Sequence, residues 1–304
     1  MGKEQRKYKE FAELLGPSVR AKEKLAKWTT LKIGGKSDLF YIAKEPQNLI
    51  RAVLTTRKLD VPLFILGGGS NLLVSDKGFK GMVLKNNCRK IEVDGNRVIC
   101  QSGALLKDVV LIAKKNSLTG LEFAAGIWGA VGGAVCGNAG AFGQSIGNIL
   151  EGGVILTSSN DIVKVENNFF EFEYRKSKLK RNGDILLSAV FKLKKGNRKN
   201  IEQKMRKNLA QRKIRVPEKE NTAGCYFKNP QLDGKIIPAG KLLEQVGAKN
   251  LRVGDAAVYG KHANIIVNLG KAKAKDVKSL ADILKKRVKR RFNINLEEEV
   301  VFVE

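Results

Sequence analysis

Short apolar runs bounded by polar turns dominate the first two thirds of the chain, and helical spacing is clear in only a few segments. Leu39 to Ala43 reads as a strand. Pro46 then stands at a first helical position, where its missing amide hydrogen costs nothing. Leu49 with Val53 and Ile50 with Leu54 give that helix an apolar stripe, and Leu63 to Leu66 reads as a short buried strand. Strand, helix, strand predicts a right-handed crossover unit. The turn Gly67-Gly68-Gly69-Ser70-Asn71 follows, then apolar runs at Leu72 to Val74 and Met82 to Leu84. Ile91 to Val93 and Val98 to Cys100, joined by Asp94-Gly95-Asn96, predict a hairpin. Val154 to Thr157, Ile162 to Val165 and Ile185 to Leu193 continue the β character, so a β-rich central domain is expected. Helical spacing returns in Ile201 to Lys213, which ends before Pro217, in Lys241 to Val246 and in Val277 to Arg291. No repeat or low-complexity linker interrupts the 304 residues, a length that accommodates two or three packed domains.

Composition narrows the function. Lys plus Arg number 57 against 30 Asp plus Glu, a formal net charge of +27, which favours polyanionic partners or phosphate-bearing substrates. The basic residues lie mostly between helically spaced apolar ones, as a solvated face does, and aromatic residues do not interleave with them as base-stacking platforms would. Phe123 to Leu150 carries no charge, longer than the ~20 residues of a membrane span. Eight of those 28 positions are glycine, however, which suits a loop that brings backbone close to a large ligand. Cys88, Cys100, Cys136 and Cys225 are too scattered for a disulfide scaffold or a zinc site, and His262 has no ligand-spaced neighbour, so reduced thiols and no metal are expected. The charged lead MGKEQRKYKEF has no apolar core of the kind a signal peptide requires.

Five constellations carry candidate chemistry. Consecutive glycines at Gly67, Gly68 and Gly69, with Ser70 and Asn71, can aim backbone amides at a phosphate or pyrophosphate, or simply make a tight turn. A second cluster runs through Gly126, Gly129, Gly132, Gly133, Gly137, Asn138, Gly140 and Gly143, and two such clusters imply one extended ligand. Tyr174-Arg175-Lys176-Ser177 offers a guanidinium for a carboxylate. Gly224-Cys225-Tyr226-Phe227-Lys228-Asn229-Pro230 places a thiol beside a glycine, and Leu296-Glu297-Glu298-Glu299-Val300 gathers three acids in a basic chain.

In this order, together with Thr30 to Gly35 and Lys261 to Asn268, these segments resemble the UDP-N-acetylenolpyruvoylglucosamine reductase family over nearly the whole chain. The resemblance implies an α+β protein: a two-part FAD-binding fold of the vanillyl-alcohol-oxidase type plus a C-terminal α+β substrate-binding domain. The expected division is 1–86, completed by the strand 297–304, then 87–216 for the second FAD-binding part, and 217–296 for substrate. The interval from Tyr174 to Gly224 resembles the shorter branch of the family, which lacks an extra tyrosine-bearing loop. Gly67, Gly68, Gly69, Ser70 and Asn71 would bind the FAD pyrophosphate, and Gly126, Gly132, Gly133, Asn138 and Gly140 would line the flavin. Tyr174, Ser177, Lys228 and Asn229 would contact substrate. NADPH is the implied reductant, the small-molecule substrate UDP-N-acetylglucosamine enolpyruvate, and the setting a monomer in the bacterial cytoplasm without nucleic acid or membrane insertion.

The family reaction implies hydride delivery to C3 of the enol ether, with charge developing at C2 and its carboxylate. Arg175 and Glu299 take the positions of the charge-stabilising pair, with Glu297 in reserve, and Cys225 stands where most of the family has the serine that protonates C2. A thiol, with a reference pKa near ~8.5, is the stronger acid of the two. Trp128 is a second departure, because Gly-Ile-Pro-Gly is usual there. The competing readings are another FAD-dependent oxidoreductase of the same fold and a basic nucleic-acid-binding protein.

Overall fold

Tyr8, Phe11 and Leu15 recur at helical spacing, and the amino-terminal lead, polar by composition, winds into α1 (Lys3–Leu15) that buries Phe11 and Leu15. The computed structural model describes residues 3–217, 221–232 and 234–304; the first two residues of the charged lead lie outside them. The chain divides into two units, one made of residues up to 21 with 39–68 and 81–210, the other of 22–38, 69–80 and 211–304.

In the first unit, β1 (Arg20–Ala21), β2 (Ser37–Ala43), β5 (Phe79–Asn86) and β3 (Leu63–Leu66) form a sheet in the order β1-β2-β5-β3; β4 (Leu72–Val74) belongs to the second unit. The expected crossover therefore has a strand inserted: β5 separates β2 from β3 and runs parallel to β3. Gly81 permits this, since a Cβ there would lie 2.3 Å from the Pro62 carbonyl oxygen, and its φ of 146° lies where side chains are strained. Helix α2 (Pro46–Lys58) buries Leu49, Ala52 and Val53 against Leu39, Tyr41 and Ala43.

The predicted hairpin forms from β6 (Ile91–Asp94) and β7 (Arg97–Gln101), with Asp94 opposite Arg97 and Gly95 at φ 58° in the turn. It joins β8 (Leu150–Leu156), β9 (Ile162–Glu166) and β10 (Ile185–Lys192) in an antiparallel sheet of order β9-β8-β10-β7-β6. Two helices here were not anticipated. Leu106, Val109, Val110 and Ala113 form the buried face of α3 (Leu106–Lys115). Inside the glycine-rich segment, α4 (Val131–Cys136) forms because Val131 and Gly132 amides donate to Ala104 and Ser102 carbonyls while Val131, Ala134 and Val135 are buried. Tertiary hydrogen bonds and burial override weak helix propensity. Helix α5 (Arg198–Arg215) closes the core with Ile201 and Met205.

In the second unit, β11 (Asn221–Cys225), β12 (Arg252–Val253), β13 (Ala256–Val258) and β14 (Ile265–Asn268) form a sheet of order β11-β14-β13-β12. Helices α6 (Ala239–Gln245) and α7 (Ala274–Phe292) contribute Leu242, Leu243, Val277, Leu280, Leu284 and Val288 to a core shared with Leu31, Leu73 and Phe227. The terminal strand β15 (Val301–Val303) pairs in parallel with β4, and Asp76 accepts from the Ala274 and Lys275 amides at the start of α7. No helix among the described residues is long and apolar enough to cross a membrane.

Phe191 of β10 is fully buried in the central core, whereas Lys164 of β9 is exposed. Phe191→Ala should cost about 3–5 kcal/mol in urea unfolding. Lys164→Ala should change stability by less than about 0.5 kcal/mol in the same measurement.

Candidate active site

Two features of the Gly67 turn depend on the missing side chains. A Cβ on Gly68 would lie 2.6 Å from the Gly129 Cα, so the first glycine segment approaches the second main chain to main chain. A Cβ on Gly69 would lie 2.0 Å from the Trp28 carbonyl oxygen, and Gly69 has φ 68°. The Gly69 carbonyl accepts from the Thr30 amide at 3.0 Å, and the Thr30 hydroxyl donates to Thr222 O at 2.6 Å. The Lys85 ammonium donates to Gly67 O.

The second cluster is organised by its polar residues. Asn138, buried and at φ 42°, accepts the Gly147 amide on its Oδ1 at 2.9 Å and donates from Nδ2 to Glu173 O at 2.8 Å. Arg175 donates to Gly140 O at 3.1 Å, and its guanidinium carbon lies 5.1 Å from the centre of the Tyr174 ring. Ser177 is buried and donates to Cys136 O at 2.8 Å, at the end of α4. The first unit thus joins Asn138, Gly140, Tyr174, Arg175 and Ser177. Asn138, Phe142 and Arg175 all hold positive φ, a concentration of backbone strain of the kind functional sites carry. Around Trp128, Gly126 and Gly129 have φ 78° and 138°, and Gly129 O accepts from the Leu106 amide at 3.0 Å, so a main-chain bond holds this loop.

In the second unit, a register shift between Thr222 and Cys225 interrupts the β11–β14 pairing, with Gly224 at φ 81° inside it. Bulges of this kind re-aim the following side chain, and Cys225 is exposed. The next three residues pair antiparallel with the acidic terminal motif. Lys228 N donates to Glu297 O and Glu299 N to Tyr226 O, each at 2.8 Å, and Phe227 bridges Glu298. The Cys225 and Glu299 motifs, distant in sequence, are thereby adjacent. Asn71 joins them: its Nδ2 donates to Glu299 O at 3.0 Å, and its own carbonyl accepts from Val301 N at 3.0 Å.

The three acids have different surroundings. Glu297 pairs with Lys228 Nζ at 2.8 Å, and Glu298 pairs with Lys285. Glu299 is half-buried. Asn229 Oδ1 accepts from the Ala239 amide at 2.9 Å, at the start of α6. Burial pushes the Tyr226 phenol above its ordinary range, with the charge of Glu298 adding to the effect.

The residues fit an anionic dinucleotide. Gly67, Gly68 and Gly69 carry no side chains of their own, the position of a Gly133 Cβ has nothing within 4 Å, and a half-buried lysine lies against the turn. Consecutive glycines of this kind can aim backbone amides at a phosphate.

Similarity to known proteins agrees. Residues 37–166 match the FAD binding domain model, and residues 216–303 match that of the UDP-N-acetylenolpyruvoylglucosamine reductase C-terminal domain. The reductase of Desulforamulus reducens is 40% identical over 96% of this chain and 95% of its own length. The chain belongs to the UDP-N-acetylenolpyruvoylglucosamine reductase family. The Clostridium kluyveri member is 38% identical over 97% of both chains. The crystal structure of the Thermus caldophilus reductase superposes with a TM-score of 0.80 at 33% identity, covering 94% of this chain and all of that one. The α+β architecture is that of this family, an FAD-binding fold with its C-terminal domain, and the chain is an FAD-containing oxidoreductase.

Several organising residues escaped the sequence reading. Asn264 accepts the Phe227 amide on Oδ1 at 2.9 Å and donates from Nδ2 to Phe227 O at 2.8 Å, fixing the peptide two residues beyond Cys225. Asn268 donates to Leu31 O at 3.0 Å. Both lie in the Lys261 to Asn268 segment, whose asparagines were the available signal. Lys85, in an otherwise apolar strand beside a glycine turn, was another.

The four thiols differ in access. Burial pushes Cys88 up to about 11 and Cys100 up to about 12, and it raises half-buried Cys136 as well. Iodoacetamide at pH 8 should therefore label Cys225 first, with Cys88 and Cys100 reacting only after unfolding. Peptide mapping checks this, and early label on Cys100 would contradict the described burial.

Proposed function

We propose that the chain reduces the enolpyruvyl group of UDP-N-acetylglucosamine enolpyruvate to give UDP-N-acetylmuramate, with NADPH as reductant, in peptidoglycan precursor synthesis. In this reading residues 1–86 with 297–304, and 87–216, bind FAD, and 217–296 bind substrate. The observation that carries it is the antiparallel pairing of Tyr226–Lys228 with Glu297–Glu299, which makes neighbours of two motifs whose side chains suit proton delivery and carboxylate chemistry. The flavin supplies a two-electron carrier between NADPH and C3 of the enol ether.

The chain's own residues address charge and proton. Arg175 is suited to the substrate carboxylate, where a preorganised guanidinium stabilises the charge developing at C2 more than it stabilises the ground state. Its contacts with Gly140 O and the Tyr174 ring restrict its rotamers in advance. Ser177, whose donor is spent on Cys136 O, is assigned to holding this turn. Cys225 delivers the proton to C2 from its sulfhydryl, and the resulting thiolate is reprotonated from solvent, to which the side chain is open. Glu299 orients the reacting groups from the adjacent strand. Lys228 and Asn229 bind the sugar nucleotide, with Lys228 already carrying Glu297 as its counter-ion. Monomeric action in the bacterial cytoplasm fits four reduced thiols and small-molecule substrates.

The purified protein should be yellow. NADPH should bleach it under anaerobic conditions, and the enolpyruvyl substrate should restore the colour. Oxygen-dependent turnover of a sugar or alcohol without NADPH would point instead to an oxidase. Cys225→Ala should leave bleaching by NADPH intact and slow reoxidation by substrate about 10²- to 10⁴-fold, the worth of a positioned acid. Arg175→Ala should also act on the second half-reaction; stopped-flow rates for the two halves decide, and equal rates in wild type and Cys225→Ala would remove the thiol from the mechanism.

A further inference from the structure

Lys85 occupies the carboxyl end of β5, opposite Leu66 of β3 in the parallel pair, where β3 runs into the Gly67 turn. The carboxyl ends of parallel strands are where ligands collect in open sheets. The side chain is half-buried, and its ammonium donates to the Gly67 carbonyl. Among the described residues no carboxylate pairs with it, and the charged group acting on it is a second cation, Arg89. Burial and Arg89 together lower the ammonium to about 8, so its charge is held against both desolvation and repulsion.

A neighbouring acid ordinarily compensates a cation withdrawn from water. Among the described residues no such acid acts on Lys85, and the adjacent turn is three consecutive glycines. The fold therefore presents net positive charge beside a turn of consecutive glycines, which is the arrangement an anion completes. We propose that Lys85 is a direct ligand of the dinucleotide pyrophosphate, adding a full charge to the partial charges of the Gly67–Asn71 amides. The assignment rests on the reading that this turn holds the FAD pyrophosphate. It differs from a purely structural role, in which Lys85 only ties down Gly67.

The test uses the deflavinated full-length chain at pH 7, titrated with FAD and followed by quenching of flavin fluorescence. Lys85→Met keeps the apolar stem and removes the charge; Lys85→Arg keeps the charge. Lys85→Met should weaken FAD binding about 10- to 100-fold, the value of a charge-assisted hydrogen bond, and reduce the dependence of affinity on salt. Lys85→Arg should bind FAD within a few-fold of wild type. Unchanged FAD affinity in Lys85→Met would overturn the proposal, and so would a loss accompanied by unaltered salt dependence and no recovery in Lys85→Arg. Failure of the underlying reading looks different: wild-type chain whose FAD affinity is insensitive to salt and is matched by riboflavin, which has no phosphate, would show that the turn does not hold the pyrophosphate.

Discussion

Main-chain pairing by residues 297–303 is the constraint on which the second unit depends. Going along this segment, Glu297 O accepts from Lys228 N, Glu299 N donates to Tyr226 O, and Val301 to Val303 run parallel to Leu72 to Val74. One extended stretch of seven residues thus has the Cys225 motif paired at its start and the strand after the glycine turn paired at its end. Asn71 ties the same peptides again from its side chain to Glu299 O. Backbone bonds of this kind fix position to within a few tenths of an ångström and leave the side chains free to differ. A shift of one residue in the pairing would turn every side chain of the segment to the opposite face and exchange Glu299 for a neighbour.

The same preference for main chain governs the first unit. Gly68 meets Gly129 where a Cβ on Gly68 would overlap backbone, and Gly132 donates its amide to Ser102 O at 2.7 Å. Backbone amides are partial charges, adequate to orient a pyrophosphate and weak in neutralising it. This explains why the net charge of +27 is informative in one place and uninformative elsewhere. Most lysines and arginines are exposed or paired with nearby acids, as Arg97 is with Glu151 and Lys178 with Glu171, and exposed pairs of this sort contribute little to stability. Lys85 differs because it is partly withdrawn from water with no acid acting on it among the described residues.

How much was legible follows from range. Strands β3 and β4 and helix α2 declared themselves through local periodicity, and the hairpin at Gly95 through its turn residues. Helix α4 did not, since its glycines argue against helix and its stability comes from Ser102 and Ala104, about thirty residues upstream. The order of strands was hidden for the same reason: the insertion of β5 beside β3 depends on Gly81 meeting Pro62. Sequence picked out Cys225 and Glu299 as members of motifs without showing that the motifs touch. Asn264 clamps Phe227 from a loop 37 positions away, and its segment showed asparagines without showing which peptide they hold.

The thiol at position 225 is best understood through this division of labour. Its position is set by the bulge after Thr222, by Gly224 at φ 81°, and by the double bond of Asn264 to the Phe227 peptide, none of which involves the side chain itself. A serine or a cysteine is held equally well by such a frame. Exchange of oxygen for sulfur then alters acidity, size and susceptibility to oxidation without altering where the group points. The more acidic thiol gives up its proton more readily, while the same property raises the fraction present as thiolate, which has none to give and is the form that oxidants attack.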